Sequence, residues 1–207
     1  MFNFFLLFSL FLPVEDPLLN QTIPTLCPCS IHSEEVQNSI DTMLKMALDH
    51  IPRRDPRKMV IAGLAAPQIG IAKRIIVIDE AAPGALAKIT VMINPEILWQ
   101  SEERQYDQES CDSTSKFIGI VPRSTSIFVK YYDREGNIFT VEHSGYAARV
   151  IQHEVDHLNG IRFPERIGEQ GVLHWVEEGD IPEYGLNWQN WPSCSWDDWL
   201  EVRDGCR

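Results

Sequence analysis

The segment QHEVDHLNG, residues 152–160, carries two histidines four positions apart and a glutamate directly after the first. An α-helix has about 3.6 residues per turn, so His153 and His157 lie one turn apart on the same face. H-E-x-x-H on a helix is typical of zinc hydrolases, in which both imidazoles bind the metal and the glutamate handles protons. The segment therefore predicts a helix that carries a metal site, with Glu154 beside the metal.

The composition of the chain is that of an ordinary globular domain. Its 207 residues are 44% hydrophobic and 23% charged, which is enough for one domain with a sizeable core. The formal net charge of −12 argues against sequence-independent binding to nucleic acid or to an anionic membrane, since both require clustered Lys and Arg. We therefore expect neither nucleic acid nor membrane as a partner.

The five cysteines show no disulfide framework. An odd number without regular spacing favours a reducing compartment, and we expect a cytoplasmic protein. Cys27 and Cys29 form a C-x-C pair, but no second pair follows at zinc-ribbon spacing. They are predicted to be thiols in a loop.

The N-terminal run MFNFFLLFSLFL, residues 1–12, is apolar. No Lys or Arg precedes it, no A-x-A site follows it, and it is too short to span a bilayer. We interpret it as a strand packed on the domain and not as a signal peptide. A membrane-directed segment is the alternative.

The order of the remaining elements predicts an α+β fold. Residues 33–50 have helical apolar spacing with Ser33 as N-cap, residues 74–79 and 89–94 are β-branched strands, and residues 126–133 and 138–143 flank a turn as a hairpin. Helix, strands and then the histidine helix is not βαβ alternation. We expect a compact single domain with mixed or antiparallel sheets around the central H-E-x-x-H helix.

A metal that keeps one position open for water requires a third protein ligand. Glu177 and Glu178 lie downstream, where a metallopeptidase would carry it. Upstream, Cys111 lies in ESCDS, residues 109–113, flanked by small and acidic residues that are untypical of a core. A thiolate there would complete a Cys-His-His site.

Three motifs occur in a specific order: GLAAPQIG at residues 63–70, then ESCDS, then QHEVDHLNG. In this order they resemble the three motifs of the peptide deformylases. VPR at residues 121–123 and GYAAR at residues 145–149 fit the same family. The resemblance extends over about residues 12 to 166.

The resemblance implies a peptide-deformylase-like fold and removal of the formyl group from the formyl-methionine of nascent polypeptides, with the ribosome as a candidate partner. It implies one divalent metal, with Fe²⁺ as the native ion and Zn²⁺, Ni²⁺ or Co²⁺ as alternatives. We expect a monomer. The positions that match the family's ligands are Cys111, His153 and His157. Those that match its catalytic groups are Glu154 as general acid and base, and the Gln68 side chain and Asp112 amide as oxyanion donors.

The substrate is expected to lie against small and apolar residues. Gly63 allows a peptide backbone to approach closely, and Tyr146 and Val150 precede the ligands on the helix, where they would line a methionine pocket. Asp156 is turned away from the metal face and is predicted to pair with Arg123 or to hold an imidazole; a solvated surface charge is the alternative.

The chain departs from the family pattern in three places. Ile61 replaces a usual glycine, and Ser110 and Asp112 alter the cysteine motif, so that a charge lies near the substrate entrance. A tryptophan-rich tail replaces a plain terminus. We predict a catalytic domain at residues 1–166 and a C-terminal extension at residues 167–207 packed on it.

Two alternative functions remain open. An H-E-x-x-H metallopeptidase would require a downstream third ligand and would leave Cys111 free. A non-catalytic relative would bind peptides without turnover, although every catalytic group is present.

Overall fold

The computed structural model describes residues 11–50, 62–82, 84–168 and 171–206, without the side chains of residues 49 and 50. The α-helices are α1 (Glu34–His50), α2 (Gly145–Leu158), α3 (Ile181–Asn187) and α4 (Trp196–Arg203). The strands are β1 (Gly63–Ala65), β2 (Ile75–Asp79), β3 (Ile89–Gln100), β4 (Arg104–Ser110), β5 (Phe117–Ser124), β6 (Ser126–Tyr132), β7 (Ile138–Ser144), β8 (Val172–Trp175) and β9 (Ser193–Cys194).

The strands form two antiparallel sheets. One has the order β1-β2-β3-β6-β7 and the other has the order β4-β5-β8-β9. The predicted α+β class is confirmed. Residues beyond 166 contribute β8 and β9 to the second sheet, with Phe117 of β5 opposite Trp175 of β8.

Strand β2 of the five-stranded sheet is covered by apolar side chains on both of its faces. Side chains of a strand alternate between the two faces. Ile76 and Ile78 pack in one apolar cluster with residues of α2. Ile75 and Val77 pack in another with residues of α1. β2 is therefore buried along its whole length, and α2 is fixed against the sheet by its apolar side.

The locally encoded elements lie where the sequence predicts them. The predicted helix at residues 33–50 is confirmed as α1, and the Ser33 Oγ accepts a hydrogen bond from the Val36 amide at 3.3 Å. The hairpin is confirmed as β6 and β7. Its turn is closed by Gly136 at a φ of 81° and by the Asn137 amide, which donates to the Asp133 carboxylate at 2.8 Å.

One expectation about the cysteines is wrong. Cys27 and Cys29 are joined in a disulfide instead of being free loop thiols. The reason is geometric: the short helical turn that begins at Pro28 brings their Cα atoms to 5.2 Å, within the usual range for a disulfide. Among the described residues, Cys111, Cys194 and Cys206 are not part of a disulfide.

The N-terminal prediction lies almost entirely outside the described residues. Of the run at 1–12, the structure describes Phe11, which packs against the α1 cluster, and Leu12, whose amide donates to the Gln68 carbonyl at 2.8 Å. Ile61 is also outside the described residues. In the described part of the chain, no helix is both long enough and apolar enough to cross a membrane.

Candidate active site

Three side chains with metal-binding donors meet where the end of β4 lies beside the C-terminal half of α2. One donor atom each from Cys111, His153 and His157 lies within 4.8 Å of the others. Cys111 Sγ and His157 Nε2 are 3.2 Å apart. The structure thus brings together the three residues that the sequence predicts as ligands.

A short turn after Cys111 folds the chain back onto its sulfur. Residues Asp112–Thr114 form a 3₁₀ turn, and the Ser113 amide donates to Cys111 Sγ at 3.4 Å. The Thr114 hydroxyl donates to the Cys111 carbonyl at 2.8 Å. Ser113 and Thr114 are fully buried, whereas Asp112 is exposed. The turn therefore fixes the thiol inward and leaves the Asp112 side chain facing solvent.

Gln68 is directed at the same sulfur. Its Nε2 donates to Cys111 Sγ and to Ser113 Oγ, each at 3.2 Å. Its Oε1 accepts from the Ala65 amide at 2.8 Å, which fixes the orientation of the carboxamide. Gln68 is only 3% exposed. A buried amide held at both ends points its donor at the site.

Glu154 is buried beside β1 with one oxygen unpaired. Its Oε2 has no hydrogen-bond partner in the described structure. Burial raises the pKa of Glu154 to about 7. Gly63 makes room for it, because a Cβ on Gly63 would lie 2.5 Å from Glu154 Oε1. A carboxyl group with a pKa near neutrality is suited to proton transfer.

Glu109 orients the imidazole of His153 by a hydrogen bond to its Nδ1. His153 Nδ1 and Glu109 Oε2 are 2.9 Å apart, which leaves Nε2 of His153 as the donor atom for a metal. Arg123 donates to both carboxylate oxygens of Glu109 at 2.9 Å, and Arg149 donates to Oε1 at 2.7 Å. Burial raises the pKa of Glu109, but hydrogen bonds from His153 and Arg123 outweigh it and hold the pKa well below its ordinary value.

The predicted ion pair of Asp156 is confirmed. Arg123 reaches Asp156 as well as Glu109, and all three are buried. Arg166 is a second cationic partner of Asp156, and its Nη2 donates to Asp156 Oδ1 at 2.7 Å. Gln152 is buried and pairs with the backbone of Ser124 through both ends of its amide. These contacts join α2 to β5.

The roles of Glu109 and Arg149 were not predicted from the sequence. A signal was available for Glu109: it lies two positions before Cys111, which places both side chains on the same side of an extended strand. Arg149 lies one turn before His153 on α2. Its contact with Glu109 depends on the pairing of β4 with β5 and was not readable from local pattern.

Tyr146 and Val150 lie on the inward side of α2. Val150 is buried in the apolar cluster between α2 and the five-stranded sheet, and Tyr146 packs against that cluster while half-buried. Downstream, Glu177 pairs with Lys116 and accepts from the Trp175 indole at 3.0 Å, and its side chain is 54% exposed. The donor group thus contains Cys111 and not the downstream glutamate that a metallopeptidase would use.

Comparison with known families matches this arrangement. The profile described as Polypeptide deformylase matches residues 10–172, which is well over half of the chain. The chain belongs to the polypeptide deformylase family. Its activity is therefore removal of the formyl group from the N terminus of new polypeptides, a hydrolysis that releases formate.

Individual relatives and solved structures agree. A peptide deformylase of Lachnoclostridium phytofermentans is 37% identical over 81% of this chain and 93% of its own. One of Rhizobium meliloti is 43% identical over 75% of this chain and 83% of its own. A class I type b peptide deformylase of Acinetobacter baumannii with Met-Ala-Ser bound has a TM-score of 0.66 at 33% identity, covering 76% of this chain and 96% of that one.

The donors suit a divalent metal, as the family requires. One thiolate and two imidazoles are preferred by Zn²⁺ and by other borderline-soft divalent ions, and three protein ligands leave a position open for water. The hydrogen bond of His153 to Glu109 is the kind of outer contact that orients an imidazole ligand. The residues present therefore fit a resident catalytic metal.

Proposed function

We propose that this chain hydrolyses N-formylmethionyl peptides with one divalent ion held by Cys111, His153 and His157. The observation that carries the proposal is the convergence of three different groups on one point. The three donor atoms lie together, the Gln68 amide points at the thiol, and Glu154 is buried beside them with a free oxygen.

When bound, the ion supplies a Lewis acid that activates water near neutral pH. Glu154 takes the proton from the attacking water and delivers it to the amine nitrogen of the leaving peptide. The Gln68 Nε2 and the Asp112 amide donate to the developing oxyanion. One such donor typically contributes about 3 kcal/mol to the transition state. Neither donor requires a charged side chain, so the Asp112 substitution leaves this chemistry in place.

The peptide is proposed to run past Gly63, with its methionine side chain against Val150 and Tyr146. Gly63 lies in β1, an edge strand of the five-stranded sheet, where a peptide backbone can pair, and Val150 supplies apolar surface on the helix that carries His153 and His157. The Met-Ala-Ser peptide bound by the Acinetobacter baumannii enzyme supports a substrate of this class. Specificity for methionine would then come from an apolar pocket beside His153.

Several finer expectations belong to the same proposal. We infer Fe²⁺ as the native ion from the resemblance to the peptide deformylases. Zn²⁺, Ni²⁺ or Co²⁺ are expected as substitutes, because a thiolate-imidazole site accepts each of them. The substrates are nascent chains, met as they leave the ribosome, and the enzyme acts as a monomer in the cytoplasm. Sedimentation of the metal-loaded enzyme tests whether it is a monomer, and its co-sedimentation with ribosomes tests whether it meets nascent chains there.

The direct experiment is formate release from formyl-Met-Ala-Ser. The protein is stripped of metal and then loaded anaerobically with Fe²⁺ in one sample and Zn²⁺ in another. We expect turnover in both, faster with Fe²⁺. Acetyl-Met-Ala-Ser serves as the control substrate and should be inert. Metal-loaded protein that releases no formate would overturn the proposal, and cleavage of an internal peptide bond would favour the metallopeptidase.

A further inference from the structure

A buried arginine lies between the two segments that carry the metal-binding residues. Arg162 follows α2, five positions after His157, and is 0% exposed. Its Nη1 donates to the Ser113 carbonyl at 3.2 Å, two positions after Cys111. The guanidinium thus connects the chain behind the helix ligands to the turn behind the cysteine ligand.

The same arginine is held by two further groups from the start of the chain. Nη1 also donates to the Val14 carbonyl at 2.6 Å, and Nη2 donates to Asn20 Oδ1 at 2.7 Å. Burial lowers the pKa of Arg162 to about 10, so the group is still charged at neutral pH. These hydrogen bonds offset part of the cost of burying the charge and fix the orientation of the guanidinium plane. Arg162 Nε is buried and has no hydrogen-bond partner in the described structure.

The C-terminal extension covers the open face of this guanidinium. The Trp199 ring of α4 lies 4.6 Å from Arg162 Cζ and is itself 0% exposed. The rings of Trp199 and Phe117 of β5 meet in a T-shaped arrangement with centroids 5.8 Å apart. Arg162 Cζ lies over the Trp199 ring, so the ring face makes the contact with the guanidinium.

Ser113 is the point where this support reaches the active site. Its carbonyl accepts from Arg162, its hydroxyl accepts from Gln68, and its amide donates to Cys111 Sγ. A shift of Ser113 would move the proposed oxyanion donors Gln68 and Asp112 and the proposed ligand Cys111 together. Ser113 is therefore the single residue between Arg162, which contacts Trp199 of the tail, and the side chains of Cys111 and Gln68.

We propose that Arg162 and Trp199 are positioning residues for deformylation, and that the C-terminal extension is packed on the catalytic domain to hold the 111–114 turn. The inference rests on the proposed roles of Cys111, Gln68 and Asp112. Trp199 lies outside the region matched by the family profile, residues 10–172, so this support is a feature of this chain's own tail.

The test compares two tryptophans on the same helix. Trp199 is buried against Arg162, whereas Trp196 is 48% exposed. In the metal-loaded full chain, Trp199→Ala should lower kcat on the order of 10- to 100-fold with KM unchanged, as misplacement of groups used in the transition state does. Trp199→Phe keeps a ring over Arg162 and should recover part of the rate. Trp196→Ala should match the wild type.

A second measurement does not depend on catalytic activity and uses the metal-stripped protein. The rate of Cys111 alkylation by iodoacetamide is followed by peptide mass mapping. We expect Trp199→Ala to accelerate it several-fold, and Trp196→Ala to leave it unchanged. Asn20→Ala removes an exposed partner of Arg162 without a core cavity and should act in the same direction if Trp199→Ala fails to fold.

Three results would overturn the inference. The first is wild-type kcat and Cys111 alkylation in folded Trp199→Ala. The second is the same pair of results in Asn20→Ala when Trp199→Ala does not fold. The third is an equal loss in Trp196→Ala. If the wild type released no formate, the proposed function would fail, and the alkylation rates would still decide whether the tail holds the turn.

Discussion

Gly63 and Glu154 are in such close contact that no side chain fits between them. A Cβ on Gly63 would lie 2.5 Å from Glu154 Oε1 and 2.6 Å from its Cγ. Such distances are not tolerated in folded proteins, so one of the two groups must move. The absence of a side chain at position 63 therefore determines where the buried carboxyl group lies.

Gly63→Ala should displace Glu154 and lower kcat on the order of 100-fold, because a misplaced catalytic group costs about that much. Metal content should stay at one ion per chain, since no proposed ligand is touched. Formate release and atomic spectrometry measure the two quantities. Gly185→Ala is the matched control, since a Cβ there meets nothing within 4 Å. Wild-type activity in Gly63→Ala would show that Glu154 need not occupy this position.

Cys111→Ser should lose the metal. A neutral hydroxyl replaces a thiolate, and the thiolate is both the charged and the softest ligand of the proposed set. Metal content after gel filtration against a weak chelator gives the answer. Cys206→Ser removes an exposed free thiol and should keep its metal. Full metal content in Cys111→Ser would take Cys111 out of the site.

Glu109→Gln should weaken metal binding about 10- to 100-fold, the usual effect of removing the partner of an imidazole ligand. It also leaves Arg123 and Arg149 facing a neutral amide, so the protein should unfold at a lower temperature. Competition with a chelator gives the affinity, and calorimetry gives the melting point. Glu177→Gln alters an exposed ion pair and should change neither. An unaltered metal affinity would mean that Glu109 does not orient His153.

Asp112 should bias the choice of substrate by charge. Two unit charges at 4 Å interact by about 1 kcal/mol in water. A Lys next to the formyl-methionine is attracted by Asp112 and a Glu is repelled, so the two peptides should differ by up to about 2 kcal/mol, a preference of up to about 30-fold for Lys. The bias should shrink as salt rises. The kcat/KM ratio of the two peptides is measured for the wild type and for Asp112→Leu. The same ratio in both proteins would exclude a role for this charge.

The features that the sequence predicts well are those with a local cause. α1 follows from helical apolar spacing after Ser33, and the β6–β7 hairpin follows from two alternating strands around a glycine turn. The pairing of Asp156 with Arg123 was predicted because Asp156 is turned away from the metal face of the motif helix and is not placed to be a ligand. The order of the three motifs specified the family before any geometry was known.

The features that the sequence did not predict depend on distant contacts. From its residue type, Arg162 would be expected at the surface, yet it is buried. Its burial could not be predicted because two of its hydrogen-bond partners, Val14 and Asn20, lie more than 140 positions away in the sequence. The disulfide of Cys27 and Cys29 was missed because spacing alone does not reveal the distance between Cα atoms. β9 has only two residues, too few for an alternating pattern.

The role of Glu154 is the central prediction. Glu154 lies between the two histidines of α2, three positions before His157. Its Oε2 is buried and unpaired in the described structure, so it is available for a proton. General acid–base help is typically worth 10²–10⁴-fold, and a residue that serves both proton transfers should lie at about the upper end. Glu154→Gln keeps the shape of the side chain and removes its basicity, and Glu154→Ala removes both.

Two quantities are measured on the same samples: the metal content and the rate of formate release. The samples are the wild type and both Glu154 variants, loaded with the same ion. We expect one ion per chain in all three proteins, and a rate in both variants that is lower by about 10⁴-fold. Loss of metal in both variants would make Glu154 a ligand. Retention of most of the rate by Glu154→Gln would contradict its role in proton transfer.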